Sequence, residues 1–345
     1  MRKLSQSGED QPAGTQQRSK ARISGPGEGP VSSCEQAGSR PDDSPEGEGV
    51  AAGRDPGRFE PLRLADLLDD VDDVSSLPHI AMQVIEVVNQ PDSSAIDLLH
   101  VVESDPALSA RILKVVNSAA CGLRVRVTNL HHAICLLGQK QVRNLAVTLS
   151  VSAIFKCGGT IGNYSRPELW RHLVSTAVAS RLVAARSGVE AFDEAFLAGL
   201  LHDIGIILED QWCHDHFVNA IGLIDGRAEL RVVERRAIGF DHSSFGAAIA
   251  ERWRFPRVVT DTIRFHHTFS HYTGPHADVV AAVEVANCLC TLKGRSSVGS
   301  SLLRPPIDSM RHLSLDRQGL NILAADLTEE FDRQRTLFEI GEVAA

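Results

Sequence analysis

Phe196-Leu197-Ala198-Gly199-Leu200-Leu201-His202-Asp203-Ile204-Gly205 is an apolar run that ends on an imidazole beside a carboxylate. Its texture predicts a helix over 191–202, a turn at Gly205, and more helix to Trp212. His202 and Asp203, adjacent at a helix end, can both reach one metal ion. Upstream, Leu169-Trp170-Arg171-His172 opens a helix predicted from Pro167 to Ser187 and closed by Gly188. His172 shares a face of that helix with Leu169, Thr176 and Ala179, so it points inward as a third donor.

Outward from these two helices the same texture persists. From Phe59 almost to the C-terminus, Leu, Val, Ile and Ala recur at helical spacing and strand signals are weak, so the fold class is all-α. Asp105-Pro106 places an N-cap before a first-turn proline, and Ser94-Ala95-Ile96-Asp97 reads as a capping box. Thr128 is expected to cap a helix that ends at Gly138, with a longer helix from Gln139 to Phe155. Gly158, Gly159 and Gly162 before Pro167 mark a linker between two helical lobes. Phe245 to Trp253, Arg257 to His266, Ala277 to Leu292 and Gln318 to Phe338 complete the predicted helices, while residues 214–237 carry no prediction. Residues 1–58 are rich in Gly, Pro, Ser and Gln with few branched apolar side chains, and are expected to be a disordered tail.

A chain of 345 residues with 43% hydrophobic content can bury a sizeable core. Its net charge of -9 argues against binding nucleic acid, whose partners present basic surfaces. No uninterrupted apolar window reaches the length of a membrane span, and the expected compartment is the cytoplasm. Seven cysteines in no zinc-finger spacing fit reduced thiols, with Cys288 and Cys290 as core filler. His131-His132 reads as surface.

Several motifs in fixed order carry a family resemblance. They are Leu77-Pro78, Asp105-Pro106-Ala107-Leu108-Ser109-Ala110-Arg111, Val116-Asn117-Ser118-Ala119, Ala133 to Gly138 followed by Val142-Arg143-Asn144-Leu145, Leu169 to His172, and Phe196 to Gly205. Together they resemble the HDOD family, HD-related output domains of bacterial signalling proteins within the HD superfamily. The resemblance implies a two-lobed helical bundle with an HD-like C-terminal half. The implied division is a connecting helix over 59–76, an HDOD domain over 77–272, and C-terminal helices over 273–345 packing on the HD-like half.

In HD enzymes, His and Asp ligands hold divalent metals, and the resemblance assigns that role here to His172, His202 and Asp203, with His242 and His266 or His267 as weaker candidates. Two departures stand out. Asn287, in Val283-Glu284-Val285-Ala286-Asn287, replaces the last Asp, and Ile206 stands where related phosphodiesterases carry a Lys that steadies phosphate charge. The resemblance therefore implies a non-catalytic output module, working through contacts with signalling proteins, some tied to cyclic-di-GMP or two-component pathways. The metal site is expected to be vestigial, with His202 and Asp203 as a hydrogen-bonded pair fixing the turn. No cofactor is expected beyond a divalent ion of Mn, Fe or Mg. A metal-dependent phosphohydrolase acting on a nucleotide, and a nucleotide sensor without turnover, are the rival readings.

Overall fold

The computed structural model describes residues 60–71, 79–89, 93–118, 123, 125–155, 159–299 and 302–342. The tail expected over 1–58, the Leu77-Pro78 motif and Gly158 lie outside the described residues.

Where Asp, Ser and Pro sit at the predicted boundaries, the helices start there. α1 (Leu64–Val71) lies against the second half, where Arg252 donates to the Leu68 carbonyl, and the first lobe comprises α2 (His79–Asn89), α3 (Ala95–Glu103), α4 (Pro106–Val116), α5 (Leu130–Leu137) and α6 (Gln139–Val151). Ser94 and Asp97 form the expected capping box, and the Asp105 carboxylate accepts from the backbone N–H groups of Ala107 and Leu108. Asn129, rather than Thr128, caps α5, because its side chain accepts from His132 N. The long helix ends at Val151 and tightens into a 3-10 turn over Ser152–Phe155.

The segment read as a plain linker contains a small antiparallel hairpin, β1 (Thr160–Ile161) paired with β2 (Tyr164–Ser165), turning at Gly162 with φ 55. Tyr164 anchors it: its ring is buried and its hydroxyl donates to Asp210 at 2.9 Å.

Ser165 then caps α7 (Arg166–Arg186), whose sides are buried nearly all round, as expected of a central helix. It packs against α8 (Phe192–Leu201) and α14 (Ala277–Leu292). Around this trio lie α9 (Ile204–Trp212), α10 (His214–Gly222), α11 (Leu230–Ala237), α12 (His242–Arg252) and α13 (Arg257–Phe265). Thus α10 and α11 fill the stretch for which the sequence carried no prediction. After α15 (Ile307–His312), α16 (Arg317–Arg333) and α17 (Arg335–Glu342) return to pack on α7. The turn expected at Gly205 lies instead at His202-Asp203, between α8 and α9, and Gly205 belongs to the first turn of α9.

Two glycines set the helix spacing. A Cβ at Gly199 would come within 2.6 Å of Ser180 Oγ on α7, and one at Gly205 within 2.0 Å of the His242 carbonyl oxygen. Bare backbone at these points lets α8 lie against α7 and the start of α12 lie against α9. Both approaches bring histidines toward residues 202–203.

Candidate metal centre

Asp203 occupies the N-cap position of α9, where an aspartate ordinarily accepts from the backbone two or three residues on, yet it makes no cap hydrogen bond. Its buried carboxylate faces four imidazoles instead. Oδ2 lies 3.4 Å from His172 Nε2 and 3.3 Å from His202 Nε2. Oδ1 lies 3.3 Å from His242 Nε2 and 3.1 Å from His266 Nε2. His267 closes the second side, with its Nε2 at 3.1 Å from His242 Nε2.

The outer nitrogens decide the tautomers. His172 Nδ1 faces the Arg295 carbonyl at 2.7 Å, His202 Nδ1 the Gly199 carbonyl at 2.8 Å, and His266 Nδ1 the Ile263 carbonyl at 2.9 Å. His242 Nδ1 faces the Glu234 carboxylate at 2.7 Å. These partners only accept, so each Nδ1 carries a proton, and a ring with no second proton turns its Nε2 lone pair inward. Lone pairs then face lone pairs: His172 and His202 Nε2 stand 3.3 Å apart, and both His266 Nε2 and Asp203 Oδ1 lack a hydrogen-bond partner. A buried set of this kind could hold a divalent cation at its centre. Metal bonds of about 2.1 Å at octahedral to tetrahedral angles put neighbouring donors about 3.0–3.4 Å apart, the spacing seen here. The donors form two groups sharing Asp203, one with His172 and His202 and one with His242, His266 and His267.

Without metal, the same geometry separates the titrations. Burial drives His202 down to about 4, against the opposing pull of Asp203. Burial also opposes charge on His242, but Glu234 and Asp203 outweigh it and raise this imidazole to about 9. Burial disfavours the Asp203 anion, yet His202 and the surrounding imidazoles hold its pKa well below the usual carboxylate range. Behind His242, burial and the neighbouring Glu234 carboxylate push Glu209 well above the usual range, so Glu209 keeps its proton and Glu234 remains the acceptor.

The centre opens into a cavity of about 400 Å³ that Asp203, His242, His266 and His267 share with Arg231, Arg304 and Asn287. Asn287 therefore faces the chamber from α14, joined one turn earlier by Glu284, which binds the Ser309 hydroxyl. Arg231 and Arg304 both pair with Glu229, on a wall that also carries Glu284 and Asp308. Ile206 is fully buried in the core, away from any role in holding phosphate. Cys290 is buried and Cys288 partly so; neither belongs to the donor groups. His131 is exposed, as expected.

Sequence reasoning placed His172, His202, Asp203, His242 and His266 among the candidates, and the fold brings all five together. It left His267 as an alternative to His266, and missed the supporting Glu234, Glu209 and Arg295. The predicted helix runs through His266, whereas α13 ends at Phe265, so His266 and His267 leave helical spacing and both rings can turn to one side.

A family model for the HDOD domain matches residues 74–269, more than half the chain. An uncharacterized protein of Treponema pallidum is 24% identical over 79% of this chain and 52% of its own length. The cyclic di-GMP phosphodiesterase CdgJ of Vibrio cholerae is 28% identical over 38% of this chain and 29% of its own length. The chain thus spans about half or less of these curated relatives. Among solved structures, an HDOD domain protein of unknown function from Geobacter sulfurreducens aligns with TM-score 0.68 at 24% identity, covering 80% of this chain and 96% of that one. A Marinobacter aquaeolei protein, provisionally named a signal transduction protein, aligns with TM-score 0.68 at 26% identity over 83% and 64%. A Shewanella amazonensis protein, provisionally named a phosphohydrolase, aligns with TM-score 0.62 at 23% identity over 81% and 98%. Among the described residues no helix is long and apolar enough to cross a membrane.

Proposed function

The chain belongs to the HDOD domain family of signalling domains, and we propose that its His-Asp centre makes it a metal-dependent phosphohydrolase. The observation that carries this reading is the inward convergence of Nε2 lone pairs on both oxygens of a carboxylate that is itself excused from capping a helix. His172, His202 and Asp203 Oδ2 would hold one divalent ion, and Asp203 Oδ1, His242, His266 and His267 a second. Bound divalent metal supplies Lewis acidity toward a phosphoryl oxygen and an acidified water.

The chain's own residues do the rest. Glu234 holds the His242 ring in one orientation, and Glu209, kept protonated, leaves the Glu234 charge directed at His242. Arg231 and Arg304 supply the planar cationic forks that suit a phosphate ligand, taking the part that a lysine at position 206 would have played. The similarity to a cyclic di-GMP phosphodiesterase makes a phosphodiester nucleotide the first substrate to try.

A second reading is favoured by Asn287: where the resemblance expects a carboxylate, a neutral amide faces the chamber beside Asp203, so the centre would hold metal without turnover and the domain would act through protein contacts with signalling partners. Assays of the Mn²⁺-loaded full chain on a chromogenic phosphodiester and on cyclic di-GMP separate the two. Turnover lost in His202→Ala supports the hydrolase; metal bound without turnover supports the contact module; a chain that takes up no metal contradicts both.

A further inference from the structure

The carbonyl that orients His172 belongs to Arg295, in the loop between α14 and α15, and this loop is gripped from the far side by the C-terminal helices. The Arg295 guanidinium lies over the Phe331 ring at 4.3 Å and the Phe338 ring at 4.8 Å, one from α16 and one from α17. Those two rings meet edge to face at 5.8 Å. Arg295 Nη1 also donates to Ser175 Oγ at 3.0 Å, on α7 within one turn of His172. Two residues earlier, Lys293 Nζ donates to Thr328 Oγ1 on α16 at 2.9 Å. The loop goes on to line the cavity through Ser296, Ser297 and Gly299.

One residue therefore touches three things at once: the ligand imidazole through its backbone, α7 through its guanidinium, and the aromatic pair of α16 and α17 through the same planar cation. A guanidinium between aromatic faces is held both by its charge and by its flatness. His202, His242 and His266 donate their outer N–H groups to Gly199, Glu234 and Ile263, none of which lies on this loop.

We propose that Arg295 is a positioning residue through which α16 and α17 fix the orientation of His172, so that the His172 side of the centre depends on the C-terminal helices and the His242 side does not. This rests on the metal-binding reading of the centre.

The test uses the full chain. In Mn²⁺ titrations by calorimetry, Arg295→Ala should weaken one class of site by about 10–100-fold, the usual effect of losing an outer partner of a ligand histidine, and leave the other unchanged. Arg295→Lys, which keeps a cation over the rings, should recover part of the loss, and Phe331→Leu, which keeps bulk but removes a π face, should show a smaller loss. Adding His172→Ala to Arg295→Ala should cost less than the sum of the two. A metal-free measurement separates this proposal from the reading beneath it: the His172 Nδ1–H proton, followed by NMR with ¹⁵N-labelled histidine, should exchange slowly in the natural chain and quickly in Arg295→Ala. Equal weakening of both site classes, or an unchanged His172 exchange rate, would overturn the proposal. Absence of any metal binding would overturn the metal-centre reading, and the exchange rate alone would then decide the role of Arg295.

Discussion

The two sides of the centre are built from different material. On the α7–α8 side, two imidazoles meet Asp203 Oδ2, held by backbone carbonyls of Arg295 and Gly199. On the α12–α13 side, three imidazoles gather around Oδ1, and the Glu234 carboxylate backs one of them. The first side is the one the sequence advertises, through the His202-Asp203 pair. The second is richer in donors, although its residues look like ordinary helix starts and ends. A prominent motif and a strong ligand set are thus different things, and Asn287 opens the chamber where a further charge would have joined them.

The largest expected effect comes from the residue that the two sides share. Asp203→Ala should lower Mn²⁺ affinity of both site classes, by more than about a thousandfold, because it removes the only carboxylate from each donor group. Retention of one class at its original affinity would break the picture of a shared ligand. Next in size is the contrast between the sides: under limiting metal, the three-imidazole side should fill first, at least about tenfold tighter, so His172→Ala should leave the first equivalent intact while His266→Ala abolishes it. Titration followed by EPR distinguishes the order.

Asn287→Asp sharpens the contrast from the other direction. If residue 287 serves the His172 side, the added anion should tighten metal binding there by about tenfold or more, and Asp203→Ala should cancel the gain. Calorimetry showing equal affinities in both proteins would mean that residue 287 does not reach the ligands.

In the metal-free protein, pH should set the two sides against each other. His242 is raised to about 9, so the stability it contributes is full below its unfolded value near 6.5 and is lost as pH rises toward 9. Glu209, raised above its ordinary range, acts in the same sense. His202, depressed to about 4, favours the folded state above about 6.5 and loses that contribution as pH falls toward 4. Denaturation midpoints should therefore change little between about pH 4.5 and 6.5, where Glu209 and His202 oppose each other, and fall above about 6.5 along an alkaline limb on the order of 3 kcal/mol. A flat profile between pH 5 and 9 would mean that these rings do not face one another as described. Gly205→Ala gives a comparable or smaller effect: the new methyl meets the His242 backbone, so α12 must shift at a cost of about 1–3 kcal/mol.

Much of this was legible in the sequence where local chemistry speaks. Ser94, Asp105 and the inward face carrying His172 follow from capping and period alone, and the helical class from the spacing of Leu, Val and Ile. What could not be read depended on tertiary approach. Leu230–Ala237, for which the sequence carried no prediction, holds Glu234, which is fully buried against the His242 ring. Gly205 reads as a turn because a lone glycine often is one, whereas its bare Cα serves the crossing of α9 and α12. Arg295 lies in a Gly/Ser-rich loop, and its importance comes from a carbonyl, which no side-chain pattern reveals.

The central claim is that buried lone pairs around Asp203 exist to hold metal. It is tested most directly by metal content of the full chain, purified without chelators from cells supplied with Mn and Fe and measured by inductively coupled plasma mass spectrometry. Between one and about two equivalents per chain are expected, falling to background in Asp203→Ala of matched folding. Background metal in the natural chain itself, with a well-folded helical spectrum, would contradict it.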